Sequence, residues 1–252
     1  MSESLFPDAH VPPPPAPVDS DRLPLIHRLL LGYYGQCKPR VPWNPLRQFV
    51  YSLLSARTKT AASDQVMRDL EARFGPDWAS VRDAPLAEIE VAVQAVTFPE
   101  IKAPRLKLAL EQITARYGSL TLDFLASYRT EKIRAWLESF EGVGPQVSAA
   151  VVNFSTLRRR AIVLDGNHLR VVQRLGLTAR GDPRRTEELL MRMVPETWTA
   201  EMLDEHHSLS KIHGQTLCTL TDPECASCPL LRVCRYGQGN IRPAPAVPES
   251  GG

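Results

Sequence analysis

Cys218, Cys225, Cys228 and Cys234 crowd into seventeen residues as C-x6-C-x2-C-x5-C. Thiolates at that density, in a chain without secretory signals, make a metal site rather than a disulfide frame. The spacing alone fits either zinc or an iron–sulfur cluster. A second group is Glu141–Arg170, EGVGPQVSAAVVNFSTLRRRAIVLDGNHLR. Gly142, Val143 and Gly144 form a tight turn in which both glycines can take backbone angles closed to other residues. Pro145 suits the first position of the next helix, whose exposed N-terminal amides make an anion site fit for a nucleic-acid phosphate. The same residues also read as an ordinary helical hairpin. Arg158, Arg159 and Arg160 follow, addressed to phosphate. Asp165 stands at the head of a further helix, where in isolation it reads as an N-cap.

The elements that must position these groups are helices. Ile133, Trp136, Leu137 and Phe140 form one apolar face before the turn, and Val147, Ala150, Val151 and Phe154 form one after it. Upstream, stripes run through Leu25–Tyr33, Leu46–Leu54 behind an Asn44-Pro45 cap, Val66–Phe74, and Ala103–Ile113 ending near Gly118. Asp182-Pro183 caps another, carrying Leu189, Leu190 and Met193. No segment alternates with period two for long enough to make a sheet, so the expected class is all-α. Residues 1–20, with six prolines, read as a disordered tail, and residues 237–252 as a second loose tail.

The 252 residues suffice for one large domain or two. Net charge is only +2, but residues 141–180 hold six arginines against Glu141 and Asp165. That basic stretch beside an anion-binding turn favours nucleic acid as partner. The N-terminus lacks the basic and apolar regions of a signal peptide, and no apolar run reaches membrane-spanning length. A cytoplasmic protein with no membrane partner is expected. Cys37 stands apart as an idle thiol.

Together these residues resemble the endonuclease III branch of the helix–hairpin–helix DNA glycosylases. The resemblance rests on LLSART (Leu53–Thr58), Lys102-Ala103, EGVGPQVSA (Glu141–Ala149), VLDGNHLRV (Val163–Val171), His213-Gly214 and the cysteine run, in the family's order over roughly 22–236. It implies two helical domains with a DNA cleft between them. One is a six-helix barrel over about 47–159 carrying the hairpin, and the other a cluster domain from 21–46 and 160–236. It further implies a [4Fe-4S] cluster on the four cysteines, Asp165 as catalytic aspartate, and a monomer acting on double-stranded DNA with a damaged or mismatched base. Arg57 and Phe98 fall where the family inserts wedge residues into the gap left by a flipped base; Phe98 also reads as plain core.

Bifunctional members carry a lysine two residues after the second hairpin glycine, and here that position is Gln146. A carboxamide is no amine nucleophile, so the β-lyase step loses its usual agent. The LDGN wording around Asp165 resembles adenine glycosylases, yet Tyr51–Leu54 offer no carboxylate for their acid, and neither their extra C-terminal domain nor adenine excision is expected. The loop Thr219–Glu224, basic in many members, here carries Asp222 and Glu224. The resulting expectation is a monofunctional glycosylase that excises a pyrimidine by hydrolysis. The alternatives are a damaged-DNA binding protein without useful catalysis, or a lyase using Lys59, Lys102 or Lys211.

Overall fold

The computed structural model describes residues 21–241 apart from Arg180. The expected N-terminal tail therefore lies outside the described residues. Among those described, the chain forms twelve α-helices: α1 (Arg22–Tyr34), α2 (Pro45–Ser55), α3 (Thr60–Phe74), α4 (Trp78–Asp83), α5 (Leu86–Ala92), α6 (Pro99–Tyr117), α7 (Thr130–Leu137), α8 (Pro145–Phe154), α9 (Gly166–Leu175), α10 (Pro183–Met193), α11 (Ala200–Thr216) and α12 (Arg235–Asn240). The fold is all-α; an isolated bridge between Trp43 and Ser155 is the nearest approach to a sheet among these residues.

The starts follow the sequence chemistry. Asn44 Oδ1 accepts the Arg47 amide at 2.8 Å and Asp182 Oδ1 accepts the Arg184 amide at 3.0 Å, each ahead of a first-turn proline. Two expectations need correction. Residues 237–240, read as loose tail, continue α12. The seventeen-residue α11 was not anticipated, because Asp204, His206, His207, Ser210 and His213 interrupt Leu203 and Leu209 on its buried side.

The buried side chains form two cores. The first joins Leu46, Phe49, Leu54, Val66, Leu106, Leu110, Ile133, Phe140 and Val151. The second joins Leu23, Ile26 and Leu30 of α1 with Val172, Leu175, Leu190, Leu203 and Leu209. Each large aliphatic side chain withdrawn this way contributes about 1.5–3 kcal/mol. The handover between cores is the extended segment 161–164. Ala161 and Val163 join the first core, Ile162 and Leu164 the second. Alternation of that kind is what extended backbone gives, and it delivers Asp165 at the seam.

Candidate active site

Asp165 is the N-cap of α9. Its Oδ1 accepts the amides of Asn167 at 3.0 Å and His168 at 2.8 Å. Both bonds fall on Oδ1, so Oδ2 has no protein donor among the described residues. Burial opposes its ionisation, yet the His168 amide and the Lys211 ammonium favour the carboxylate, and its pKa lies below the ordinary range. The cap and the candidate catalyst are thus one residue, and the first role orients the second.

Behind the carboxylate lies a histidine cluster that sequence reasoning missed. His168 Nδ1 and His207 Nδ1 approach the same Val163 carbonyl at 3.0 and 2.8 Å, so each ring donates there. His206 packs against His168 with centroids 5.2 Å apart and against His27 at 5.6 Å. Burial lowers the pKa of all four rings, that of His168 to about 4. They are neutral packing groups at neutral pH. Lys211 was named in the sequence only as a spare amine. It lies one turn beyond His207 on α11, with Gly214 another turn on; a Cβ on Gly214 would sit 2.8 Å from that of Asn167. This stripe packs α11 onto the α9 start and brings the Lys211 ammonium to bear on Asp165.

In the hairpin only Gly142 uses the left-handed region, with φ 82°. A Cβ there would meet Arg105 Cδ at 2.9 Å. Gly144, expected to need the same freedom, has φ −106°, open to any residue, with nothing within 4 Å of a Cβ. Val143, expected to bind DNA, is 7% exposed in the first core, and its amide donates to Phe140 O at 3.2 Å. The amides of Gly144, Gln146 and Val147 take no acceptor among the described residues and form the open N-terminus of α8. Gln146 is exposed on that first turn and makes no hydrogen bond to Asp165.

In the arginine triplet, Arg158 differs from expectation. Arg158 donates to Asp204 at 3.0 Å, to Asn153 O and to Arg40 O, while Arg40 grips the same buried Asp204. Arg159 donates to Ala126 O and Arg160 to Pro195 O. A buried carboxylate needs such partners, so Arg158 spends its donors on tying the chain together, while Arg159 and Arg160 each bond through one nitrogen and stay exposed. Arg57 and Phe98 are exposed on neighbouring loops, Phe98 by 49%, which removes the core reading for Phe98.

Cys218, Cys225, Cys228 and Cys234 line one cavity with Arg174, His213 and Leu230. Each sulfur has a nitrogen donor nearby: Arg174 Nη1 at 3.3 Å from Cys218, Asn240 Nδ2 at 3.7 Å from Cys225, Leu230 N at 3.4 Å from Cys228 and Gly237 N at 3.3 Å from Cys234. His213 Nε2 also approaches Cys228 Sγ at 3.6 Å. Burial pushes the Cys228 thiol up to about 11. Among the described residues no three His, Cys, Asp or Glu side chains converge closely enough to hold one metal ion.

Two helical cores, a glycine hairpin feeding α8 and a capped aspartate at the seam define a helix–hairpin–helix protein. Residues 50–196 match the model of the HhH-GPD superfamily base excision DNA repair proteins. Endonuclease III of Bacillus subtilis (strain 168) is 30% identical over 199 residues, covering 77% of this chain and 83% of that one. The chain belongs to the HhH-GPD superfamily, in its endonuclease III branch. DNA glycosylase/AP lyase ROS1 of Arabidopsis thaliana is 24% identical over 213 residues, but the chain spans only 15% of its length. Among solved structures, a trapped endonuclease III–DNA covalent intermediate superposes with TM-score 0.73 at 22% identity, over 90% of this chain and 100% of that one. A thermostable thymine-DNA glycosylase does so with TM-score 0.65 at 17% identity, over 87% and 98%. Among the described residues no helix is long and apolar enough to cross a membrane.

Proposed function

We propose that the protein is a monomeric, cytoplasmic DNA glycosylase that excises a damaged or mispaired pyrimidine from double-stranded DNA by hydrolysis. The observation that carries this is Asp165: Oδ1 is fixed by two amides, while Oδ2 takes no protein donor among the described residues. As the base departs, positive charge grows on the sugar, and a carboxylate held ionised stabilises it without reorganising. The free oxygen orients the attacking water and takes its proton. The open amides at the start of α8 hold a phosphate of the same strand. Arg57 and Phe98 fill the gap left by the flipped nucleotide. Family membership supports the reaction class. The division of the buried side chains into two cores supports two domains, with the DNA cleft proposed between them.

A [4Fe-4S] cluster is proposed on Cys218, Cys225, Cys228 and Cys234. Four sulfurs line one cavity, each facing a nitrogen donor, as suits thiolates that hold an iron–sulfur cluster. When bound, the group supplies a cross-link that holds the loop 218–234 to α9; base excision uses none of its chemistry.

With Gln146 in the hairpin, the reaction ends at an intact abasic site. A second reading, excision coupled to strand cleavage, is favoured by one observation: the Lys211 ammonium acts on Asp165 and has no hydrogen-bond partner among the described residues. Lys102, by contrast, spends its ammonium on three acceptors. The test is incubation with duplexes carrying damaged and mismatched pyrimidines, with and without alkali. Strand breaks only after alkali are expected. Breaks without alkali, together with borohydride trapping that Lys211→Ala abolishes, would support the second reading. No product on any duplex would leave a binding protein.

A further inference from the structure

Arg57 and Phe98 share an unusual backbone. Their φ values are 57° and 60°, and with Arg158 they are the non-glycine residues of positive φ among those described. A side-chain-bearing residue in the left-handed region costs about 1–2 kcal/mol and persists only where its surroundings enforce it. Phe98 immediately precedes α6, and its carbonyl accepts the amides of Ile101 and Lys102, both at 3.1 Å. Arg57 follows α2 by two residues.

The two loops are joined by a small set of bonds. Thr97 N donates to Thr58 Oγ1 and Thr97 Oγ1 donates to Arg57 O, both at 3.1 Å. Beneath them lies Lys102, 7% exposed. Its Nζ donates to Leu54 O at 2.7 Å, Ala56 O at 2.6 Å and Thr58 Oγ1 at 2.9 Å. These acceptors use all three ammonium protons. Two are carbonyls at the C-terminal end of α2, where a cation is favoured. Lys102 thus holds the Phe98 loop through its backbone and the Arg57 loop through its side chain.

We infer that Lys102 is a positioning residue for duplex opening: its ammonium clamps both loops so that Arg57 and Phe98 are preset, in strained backbone, to enter the base stack together. The inference rests on the proposed insertion of those two side chains. Presetting spares the ordering cost that loose loops would meet on binding. Burial is the cause that lowers the Lys102 pKa, to about 8. The charged side chains of the adjoining segments, Arg57, Lys59 and Glu100, are exposed and do not bond it. The clamp is therefore charged well below pH 8 and weakens as pH rises through it.

The test uses a duplex with a tetrahydrofuran abasic analogue opposite 2-aminopurine, whose fluorescence rises on unstacking, and the same lesion strand alone. Wild-type protein should raise the duplex signal, with an opening constant that falls above about pH 8. Lys102→Met should lower that constant about tenfold and lose the pH step, as expected for loss of a charge-assisted bond. Thr58→Val, which removes one acceptor and the Thr97 link while keeping Lys102, should lower it severalfold. Affinity for the single strand should change less than twofold in both. Wild-type opening in Lys102→Met, or equal losses on duplex and single strand, would overturn the inference. Unchanged opening in Arg57→Ala and Phe98→Ala would remove the insertion itself, and the inference with it.

Discussion

Asp165 and His168 are joined by a 2.8 Å hydrogen bond from the His168 amide to Asp165 Oδ1, which makes the proposed catalyst the N-cap of the helix behind it. Stability and chemistry can be separated there. Asparagine caps nearly as well as aspartate, whereas alanine costs about 0.5–2 kcal/mol. Asp165→Asn should therefore melt within a degree or two of wild type, and Asp165→Ala several degrees lower. Thermal unfolding followed by circular dichroism reads both. Equal melting of the alanine variant would contradict the cap.

The two hairpin glycines should behave differently. Gly142→Ala forces a side chain into left-handed backbone against Arg105 and should cost about 1–2 kcal/mol of stability. Gly144→Ala should leave stability unchanged, since φ and space both permit it. If the open amides of α8 hold phosphate, its methyl group obstructs their approach and DNA affinity should fall. Titration of labelled duplex at two salt concentrations checks this; unchanged affinity would take the hairpin out of the interface.

Acid should destabilise the fold through the cluster of His27, His168, His206 and His207, all held neutral by burial. An unfolded histidine protonates near pH 6.5. The folded His168 resists until about pH 4. Between those values the unfolded chain binds more protons, so stability falls as pH falls. Melting temperatures from pH 7.5 to 5 should decline, and more shallowly in His206→Phe, provided the larger ring is accommodated. A flat profile in the wild type would contradict the neutral cluster.

The cysteine pocket makes an elemental prediction. Purified protein should be yellow-brown and carry four irons per chain, as the proposed cluster requires. Cys225→Ala should lose the colour and loosen the segment from Cys218 to α12 to proteolysis, because metal binding and local folding are linked. Colourless wild-type protein with one zinc would reject the cluster.

Much of this was legible in the sequence, for identifiable reasons. Caps such as Asn44 and Asp182, and apolar stripes such as those flanking the hairpin, act locally, and local chemistry is written in neighbouring residues. The four cysteines that line one cavity stood out by type and spacing, and Asp165 as a helix cap by its place before α9. What depended on distant partners was not legible. α11 was missed because histidines line its buried side. The part Arg158 takes in the fold was not legible, because its acceptors lie in segments as far apart as Arg40 and Asp204. Gly144 was misread because a glycine does not announce which of its backbone regions it uses. The partnership of Lys102 with α2 spans 48 residues and shows only in the folded chain.

The central claim is hydrolytic excision by Asp165. The most direct measurement is the single-turnover rate of alkali-labile site formation on one cleaved duplex, for wild type and Asp165→Asn at equal DNA saturation. Removing the charge while keeping the cap should slow excision by about two to three orders of magnitude, with DNA binding retained. An Asp165→Asn protein that excises at the wild-type rate would leave that residue a helix cap and nothing more.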